Sequence, residues 1–213
     1  MKTDDLVAML STGGGVIDAR VPPNRFATAI GWGAFGATLL MAVLLGVRPD
    51  LGQAALHPMF WVKVGYAACL ALASLLAVSR LSRPGSSMDW IAVALIAPVL
   101  AIWILGLIAL SGAAAEEREQ LFFGRTWRSC PLLIATLSAP SFFAVMWAVR
   151  GLAPTRLRSA GAAAGLLSSG IGAVVYSLHC PEMGAPFLGS WYLLGMLIPT
   201  AAGALVGPRL LRW

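Results

Sequence analysis

Six apolar runs, each of roughly 20 residues, divide the chain between positions 26 and 207. A helix needs about this length to cross the roughly 30 Å hydrocarbon core of a bilayer. The runs do not show the short alternating pattern of a transmembrane β-barrel. The pattern therefore predicts an all-α, polytopic membrane bundle of six transmembrane helices. The predicted spans are 26–47, 59–79, 90–111, 130–149, 159–178 and 187–207.

Composition supports lipid rather than water as the solvent of this bundle. Charged residues make up 11% of the 213 residues and hydrophobic residues 59%, whereas soluble domains average about 25% charged residues. Residues 1–25 are interrupted by charges and have no apolar core of a secretory signal peptide. We expect a cytoplasmic N-terminal segment at 1–25, followed by a six-helix transmembrane domain at 26–213.

The distribution of cations predicts the orientation. If the N-terminus is inside, ten cations are cytoplasmic and four lie outside, so the positive-inside rule places both termini in the cytoplasm of a bacterial inner-membrane protein. The net charge of +6 then reflects orientation, and no direct contact with nucleic acid is expected. Lys63, near one end of the second span, is expected to snorkel to the headgroups. The ten cytoplasmic cations are Lys2, Arg20, Arg25, Arg80, Arg83, Arg150, Arg156, Arg158, Arg209 and Arg212, and the four outer ones are Arg48, Arg118, Arg125 and Arg128.

Small residues and prolines predict how the spans pack. Pairs of glycines four residues apart let helix backbones approach closely, and internal prolines are predicted to kink their spans. The glycine pairs are Gly161 with Gly165 and Gly203 with Gly207, and the prolines are Pro98, Pro140 and Pro199.

Two of the three cysteines fall on the same side of the predicted membrane. Cys130 opens the fourth span and Cys180 follows the fifth, and loops separated by two spans always share a side. With cytoplasmic termini that side is the periplasm, where thiols can be oxidised. The pair could form a redox or soft-metal site, a structural disulfide, or two idle thiols. Cys69, in the middle of the second span, is expected to be a small core residue.

Polar residues flank these cysteines in the sequence. Cations and a helix N-terminus lower the pKa of a thiol, which predicts Cys130 as the better nucleophile. Two thiolates and an imidazole suit a soft metal ion, so Cys130, Cys180 and His179 form the candidate metal ligand set. No resident cofactor is expected beyond a transient soft metal or an oxidant. The flanking residues are Arg125, Arg128, His179 and Glu182.

The N-terminal segment predicts a short amphipathic helix. Thr3 can cap it, Asp4 and Asp5 suit its positive first turn, and Gly13 follows its end. A helix of two turns is marginal alone in water. It therefore needs a surface, either a groove on a protein partner or the membrane interface. Its apolar face comprises Leu6, Val7, Met9 and Leu10.

The sequence carries no common enzyme signature. It contains no HExxH, GxSxG or phosphate-binding loop, and no acid falls inside a predicted span, which argues against ion-coupled transport. The predicted class is a protein that is not an enzyme. The alternatives are a small permease, which would need a polar path, and a thiol-redox membrane protein, which would need a second thiol pair or a quinone site.

Eight stretches, spread over essentially the whole chain, carry a family resemblance: residues 1–6, 60–63, 83–85, 127–131, 134–140, 176–180, 191–192 and 207–213. Together they resemble the NrsF family, six-helix inner-membrane anti-sigma factors of proteobacteria. It implies a regulator that holds an extracytoplasmic-function sigma factor. It also implies that a periplasmic cysteine pair, here Cys130 and Cys180, senses metal or oxidative stress.

The resemblance further implies that the cytoplasmic N-terminal segment binds the sigma factor. The apolar face described above would then supply the contact, and the loops around Arg80 and Arg156 could share it.

Overall fold

In the computed structural model, residues 3–12, 21–82 and 89–212 are described, and the regular structure within them is helical throughout. A π-helical turn, Leu188–Tyr192, separates the last two α-helices. The α-helices are α1 (Thr3–Thr12), α2 (Val21–Leu44), α3 (Leu51–Ala54), α4 (Pro58–Leu81), α5 (Asp89–Gly112), α6 (Ala115–Phe123), α7 (Cys130–Leu137), α8 (Ala139–Arg150), α9 (Leu157–Tyr176), α10 (Ala185–Phe187) and α11 (Leu193–Leu210).

Five stretches within the described residues are long and apolar enough to cross a membrane, and a sixth is bent. The bent stretch consists of α7 and α8, which meet at 45° and pass the same criteria together. The expected all-helical architecture is confirmed, with five or six helices of spanning length. The five unbroken stretches are Pro23–Leu44, Pro58–Leu81, Trp90–Gly112, Leu157–Tyr176 and Ala185–Leu210.

Two boundaries differ from the sequence prediction. The first long helix begins at Val21 rather than at residue 26, because Pro22 and Pro23 fall in its first turn, where the missing N–H groups of proline have no intrahelical role. The fourth predicted span breaks at Ser138. Pro140 lacks the amide hydrogen that a continuous helix would use at this point.

α9 lies at the centre of the bundle and packs against α2, α4, α7, α8 and α11. It crosses α11 where Gly161 and Gly203 face each other, so closely that a Cβ atom added to either glycine would overlap the carbonyl oxygen of the other. A Cβ on Gly165 would likewise overlap the carbonyl oxygen of Pro199. The predicted role of the glycine pairs in close packing of helices is confirmed.

The buried side chains form two clusters, one at each end of the bundle. The first contains Met41, Cys130 and Cys180, and we call this end the thiol end. The second contains Phe26, Val149 and Leu211, and we call it the opposite end.

The exterior of the long helices is largely apolar. Trp32 and Phe35 on α2 and Leu100 on α5 are more than half exposed, and all three lie on helices of membrane-spanning length. Cys69 is also exposed, on the outer surface of α4. The expectation that Cys69 is a core residue is therefore wrong, because its position on α4 lies outside the face that packs against the bundle.

Candidate thiol site

Two cysteines that are far apart in the sequence lie in one buried cluster. Cys130 is the first residue of α7, where Pro131 favours the start of a helix, and Cys180 lies just beyond the end of α9. Both side chains are 0% exposed, both belong to the same hydrophobic cluster, and neither forms a disulfide. The structure thus brings together the two thiols that the sequence analysis predicted on one side of a membrane.

Two tyrosines, Tyr176 and Tyr192, lie in the same buried cluster as this thiol pair. The Tyr176 hydroxyl interacts with both sulfur atoms. The Tyr192 hydroxyl lies beside the Cys180 thiol but has no well-aligned partner. The centroids of the two rings are 5.7 Å apart. Because Tyr192 ends the π-helical turn, a local irregularity of a kind frequent at functional sites delivers one of these hydroxyls.

A buried cation, Lys63, completes the site. Its Nζ atom donates to the backbone carbonyl of Cys180 at 2.8 Å and to that of Glu182 at 3.0 Å, and its side chain is 0% exposed. The expectation that Lys63 snorkels to the headgroups is wrong. The two carbonyls ahead of α10 supply acceptors inside the bundle, so the ammonium group has no need to reach the surface.

A second cation reaches the same carbonyl oxygen. Arg48 donates to the Cys180 carbonyl at 3.3 Å and forms an ion pair with Asp50, with 2.6 Å between Nη2 and Oδ2. The hydrogen bonds from Arg48 lower the pKa of the Asp50 carboxyl, so this ion pair persists at neutral pH. The backbone around Cys180 is therefore fixed by cations from two other segments.

The Cys180 sulfur is in its protonated form at neutral pH. Burial raises the pKa of the Cys180 thiol, and the charge of Lys63 opposes that shift only in part. The thiolate is the nucleophile and the metal ligand, so burial lowers the intrinsic reactivity of this sulfur.

Glu182 binds the turn that precedes α7. Its Oε1 atom accepts the backbone N–H of Arg125 at 2.8 Å and the hydroxyl of Thr126 at 3.4 Å. Gly124, with φ of +57°, leaves room for the carboxylate, because a Cβ atom there would overlap it. Glu182 therefore ties the segment ahead of Cys130 to the segment that follows Cys180.

The two arginines expected to activate Cys130 have exposed side chains. Arg128 stacks over the ring of Trp127, with 5.0 Å from Cζ to the ring centroid, and Arg125 contributes its backbone N–H rather than its charge to the bond with Glu182. Their effect on the reactivity of Cys130 stays a prediction. The cation that the structure places beside the pair is Lys63.

His179 is bonded to the backbone that follows α2. Its Nδ1 atom lies 2.9 Å from the Gly46 carbonyl oxygen, which fixes the ring against the segment after α2. Within the described residues, no group of three or more His, Cys, Asp or Glu side chains is arranged to hold a metal ion. The three-ligand set of Cys130, Cys180 and His179 is thus not assembled here, and the two thiols remain as a candidate pair of soft ligands.

The N-terminal helix is present as α1, with Asp4 and Asp5 in its first turn. Val7 is 59% exposed. The side chains of the other predicted contact residues, Leu6, Met9 and Leu10, lie outside the described residues, and so does Gly13. The assignment of this face to a partner stays a prediction.

Sequence reasoning missed Lys63 and the two tyrosines. A single lysine inside an otherwise uncharged span was a usable signal, because an ionisable residue within a membrane segment marks a functional site by default. The tyrosines gave no comparable signal, since their rings join the cluster of the thiols only after the helices have packed together.

The fold and the site define the class: an all-helical protein with helices of membrane-spanning length around one internal pair of thiols. The sequence profile of NrsF, described as negative regulator of sigma F, matches residues 10–213. The chain is 60% identical over 213 residues to a probable anti-sigma-F factor NrsF from Azospira oryzae, covering 100% of both chains. It is 44% identical over 216 residues to the anti-sigma-F factor NrsF of Caulobacter vibrioides, again covering 100% of both.

The chain therefore belongs to the NrsF family. The resemblance recognised in the sequence is confirmed. No solved structure matches the chain.

Proposed function

We propose that this chain is a multi-pass anti-sigma factor of the bacterial inner membrane. It holds an extracytoplasmic-function sigma factor at the cytoplasmic face and releases it when Cys130 and Cys180 react with a thiophilic metal ion or an oxidant. The observation that carries the sensor is the burial of these two thiols, from separate spans, around the Tyr176 hydroxyl. The sigma partner is suggested by the relatives, both named anti-sigma-F factors.

Six crossings are supported by the positions of the ends of α7 and α8. Cys130 begins α7 in the cluster of Cys180, whose carbonyl contacts Arg48 beyond the end of α2. Trp147, in the last turn of α8, stacks against the Arg25 guanidinium at 4.5 Å, near the start of α2. The bent pair therefore runs beside the 24 residues of α2, about 36 Å at 1.5 Å per residue. That length supports one bent crossing.

Six crossings put both termini on one side, and the cations favour the cytoplasm. Ten Lys and Arg residues then fall in cytoplasmic segments and four in outer ones, as the positive-inside rule requires. The thiol end faces the periplasm in this orientation. There the pair is separated from the reducing cytosol and meets metals and oxidants first.

The sigma contact is assigned to α1. Its exposed Val7 and its position ahead of α2 leave it available to a cytoplasmic partner. A short helix gains stability by burying its apolar face in a groove. The loops around Arg80 and Arg156 lie at the same end of the bundle and are the alternative contacts.

The two thiols can react in two ways. With a divalent soft metal ion, two S–H bonds break, two metal–sulfur bonds form, and two protons leave to solvent. With a peroxide, one S–S bond forms while the two thiols give up two electrons and two protons, and the peroxide is reduced to two water molecules or to water and an alcohol. Either product joins the start of α7 to the segment after α9.

The bent crossing links that change to the cytoplasmic end. Cys130 begins α7, and the ring of Trp147, near the end of α8, stacks against the guanidinium group of Arg25. Arg25 lies near the start of α2, the helix that follows α1 in the chain. Packed helices rearrange between discrete states rather than deforming continuously. For release, the metal or oxidised form must favour the sigma-free state, because only differential affinity shifts an equilibrium.

The test uses cysteine variants in a strain that reports transcription from a sigma-dependent promoter. Cys130→Ser and Cys180→Ser should each abolish induction by cadmium while leaving repression intact, and the double variant should match either single one because the two thiols act as a unit. Cys69→Ser is the matched control, since Cys69 lies outside the cluster, and it should respond normally. A full response in both single variants would overturn the paired-thiol mechanism.

A further inference from the structure

Lys63 is a buried charge with an unusual set of partners. Its ammonium group is bonded to two backbone carbonyls, those of Cys180 and Glu182. Within the described residues, the ion pair is formed by Arg48 and Asp50. No carboxylate of those residues lies at ion-pair distance from the Lys63 ammonium group. The Phe60 ring lies 5.9 Å from Nζ, which adds a weak cation–π attraction.

We propose that Lys63 is the positioning residue of the thiol pair, holding the backbone of 180–182 so that the Cys180 sulfur faces Cys130 beside the Tyr176 hydroxyl. The inference rests on the proposed thiol-sensing function and deepens it. One ammonium group bridges the carbonyls of two residues in a segment that is otherwise free of regular structure. This bridge fixes the direction in which the intervening backbone, and with it the Cys180 side chain, projects.

A structural role and a positioning role of Lys63 predict different results for Lys63→Met. Methionine is unbranched, about as long as the lysine stem, and adapts to irregular spaces, so the substitution fills the space and removes the donor. Loss of the ammonium group leaves the Glu182 carbonyl without the bond from Nζ, which costs stability in either case. Only a positioning role also predicts weaker metal binding by the folded protein.

The reaction of the pair shows why geometry matters more than charge. A divalent ion that replaces two thiol protons leaves the net charge of the site unchanged, so Lys63 is not needed to neutralise the product. Coordination by two sulfur atoms does require both to point at one place. Without the two hydrogen bonds, the segment 180–182 would be more mobile. Metal binding would then have to order it, and this entropy cost weakens binding.

The experiment measures cadmium binding to the full chain in detergent micelles by the ultraviolet charge-transfer band of the metal–thiolate bond. Lys63→Met should weaken binding by roughly 10- to 100-fold, the range that a hydrogen bond to a charged group is worth in an equilibrium constant. Lys63→Arg, which keeps a cationic donor, should restore most of the affinity. Arg128→Met is the matched control, because it removes an exposed cation that stacks on Trp127, and it should bind cadmium like the parent protein.

Two further measurements separate the inference from the proposed function. Pull-down of the sigma factor without metal should be the same for Lys63→Met and the parent protein, which shows that the variant is folded. If Lys63→Met does not accumulate, Lys63→Gln, which keeps one neutral donor, should show an intermediate affinity. Cadmium binding by Lys63→Met, or by Lys63→Gln in its place, as tight as that of the parent would overturn the role of Lys63 and leave the thiol sensor standing. Cadmium binding that survives in Cys130→Ser and Cys180→Ser would overturn both.

Discussion

The crossing of α9 and α11 makes a quantitative prediction for Gly161→Ala. The added methyl group would overlap the carbonyl oxygen of Gly203 and lie 3.0 Å from the Cα atom of Gly207. These are backbone atoms, so no side chain can swing aside and the helices must separate. Overpacking of this kind costs up to about 3 kcal/mol, while the better helix propensity of alanine returns about 1 kcal/mol. The net loss should be about 2 kcal/mol, roughly a 30-fold change in the unfolding equilibrium.

The assay is reversible unfolding of the purified chain in mixed detergent micelles, followed by circular dichroism. Gly31→Ala is the matched control, because no atom lies within 4 Å of a Cβ at that position on α2. It should be neutral or more stable by up to about 1 kcal/mol, since only the propensity of alanine acts there. Equal stabilities of the Gly161→Ala and Gly31→Ala variants would refute the close crossing.

Combining Gly161→Ala with Gly203→Ala tests whether the two glycines act at one contact. The first methyl group already separates the helices, so the second should cost less than it does alone. Full additivity would mean that the two positions do not face each other.

Two further predictions concern the partner and the orientation. Val7→Asp should raise target transcription without any inducer while the protein still accumulates in the membrane, because an unpaired carboxylate is costly in an apolar contact; unchanged repression would move the sigma contact to the Arg80 or Arg156 loops. In a cysteine-free background, Glu117→Cys should react with a membrane-impermeant maleimide added to intact cells and Arg158→Cys should react only after lysis. The reverse pattern would place the thiol end in the cytoplasm.

The helical fold was predictable because it follows from local rules. Runs of about 20 apolar residues predict helices long enough to cross a membrane. Glycine pairs four residues apart predict close helix crossings such as that of Gly161 and Gly203. Pro140 predicted the break in the fourth span. The hydrogen bonds at the break were not predictable. The hydroxyl of Ser141 donates to the Ser138 carbonyl at 2.9 Å and to the Ser168 carbonyl of α9 at 3.0 Å. Such a bond depends on which helix packs alongside.

The site was predictable only in part, for a related reason. Parity of the spans placed Cys130 and Cys180 on one side without any knowledge of packing. Which cation lies near them depends on tertiary structure. Sequence proximity favoured Arg125 and Arg128, whereas the packing of the helices brings in Lys63, which is more than 60 residues before Cys130 in the chain. Reasoning from sequence position therefore placed the two thiols together and missed the side chains that the structure packs around them.

The two ends of the bundle are stabilised differently, and the difference suits a switch. The thiol end holds a buried cation and, in the described part of the chain, three buried hydroxyls without hydrogen-bond partners, those of Tyr66, Ser190 and Tyr192. Each such group costs about 1–3 kcal/mol, so alternative arrangements of this end lie close in free energy. The opposite end has one unpaired buried atom, Arg25 Nε, and direct backbone contact between Gly161 and Gly203. A change at the thiols should therefore pivot the helices about that crossing, because backbone atoms in contact leave less room for rearrangement than the unpaired hydroxyls at the thiol end.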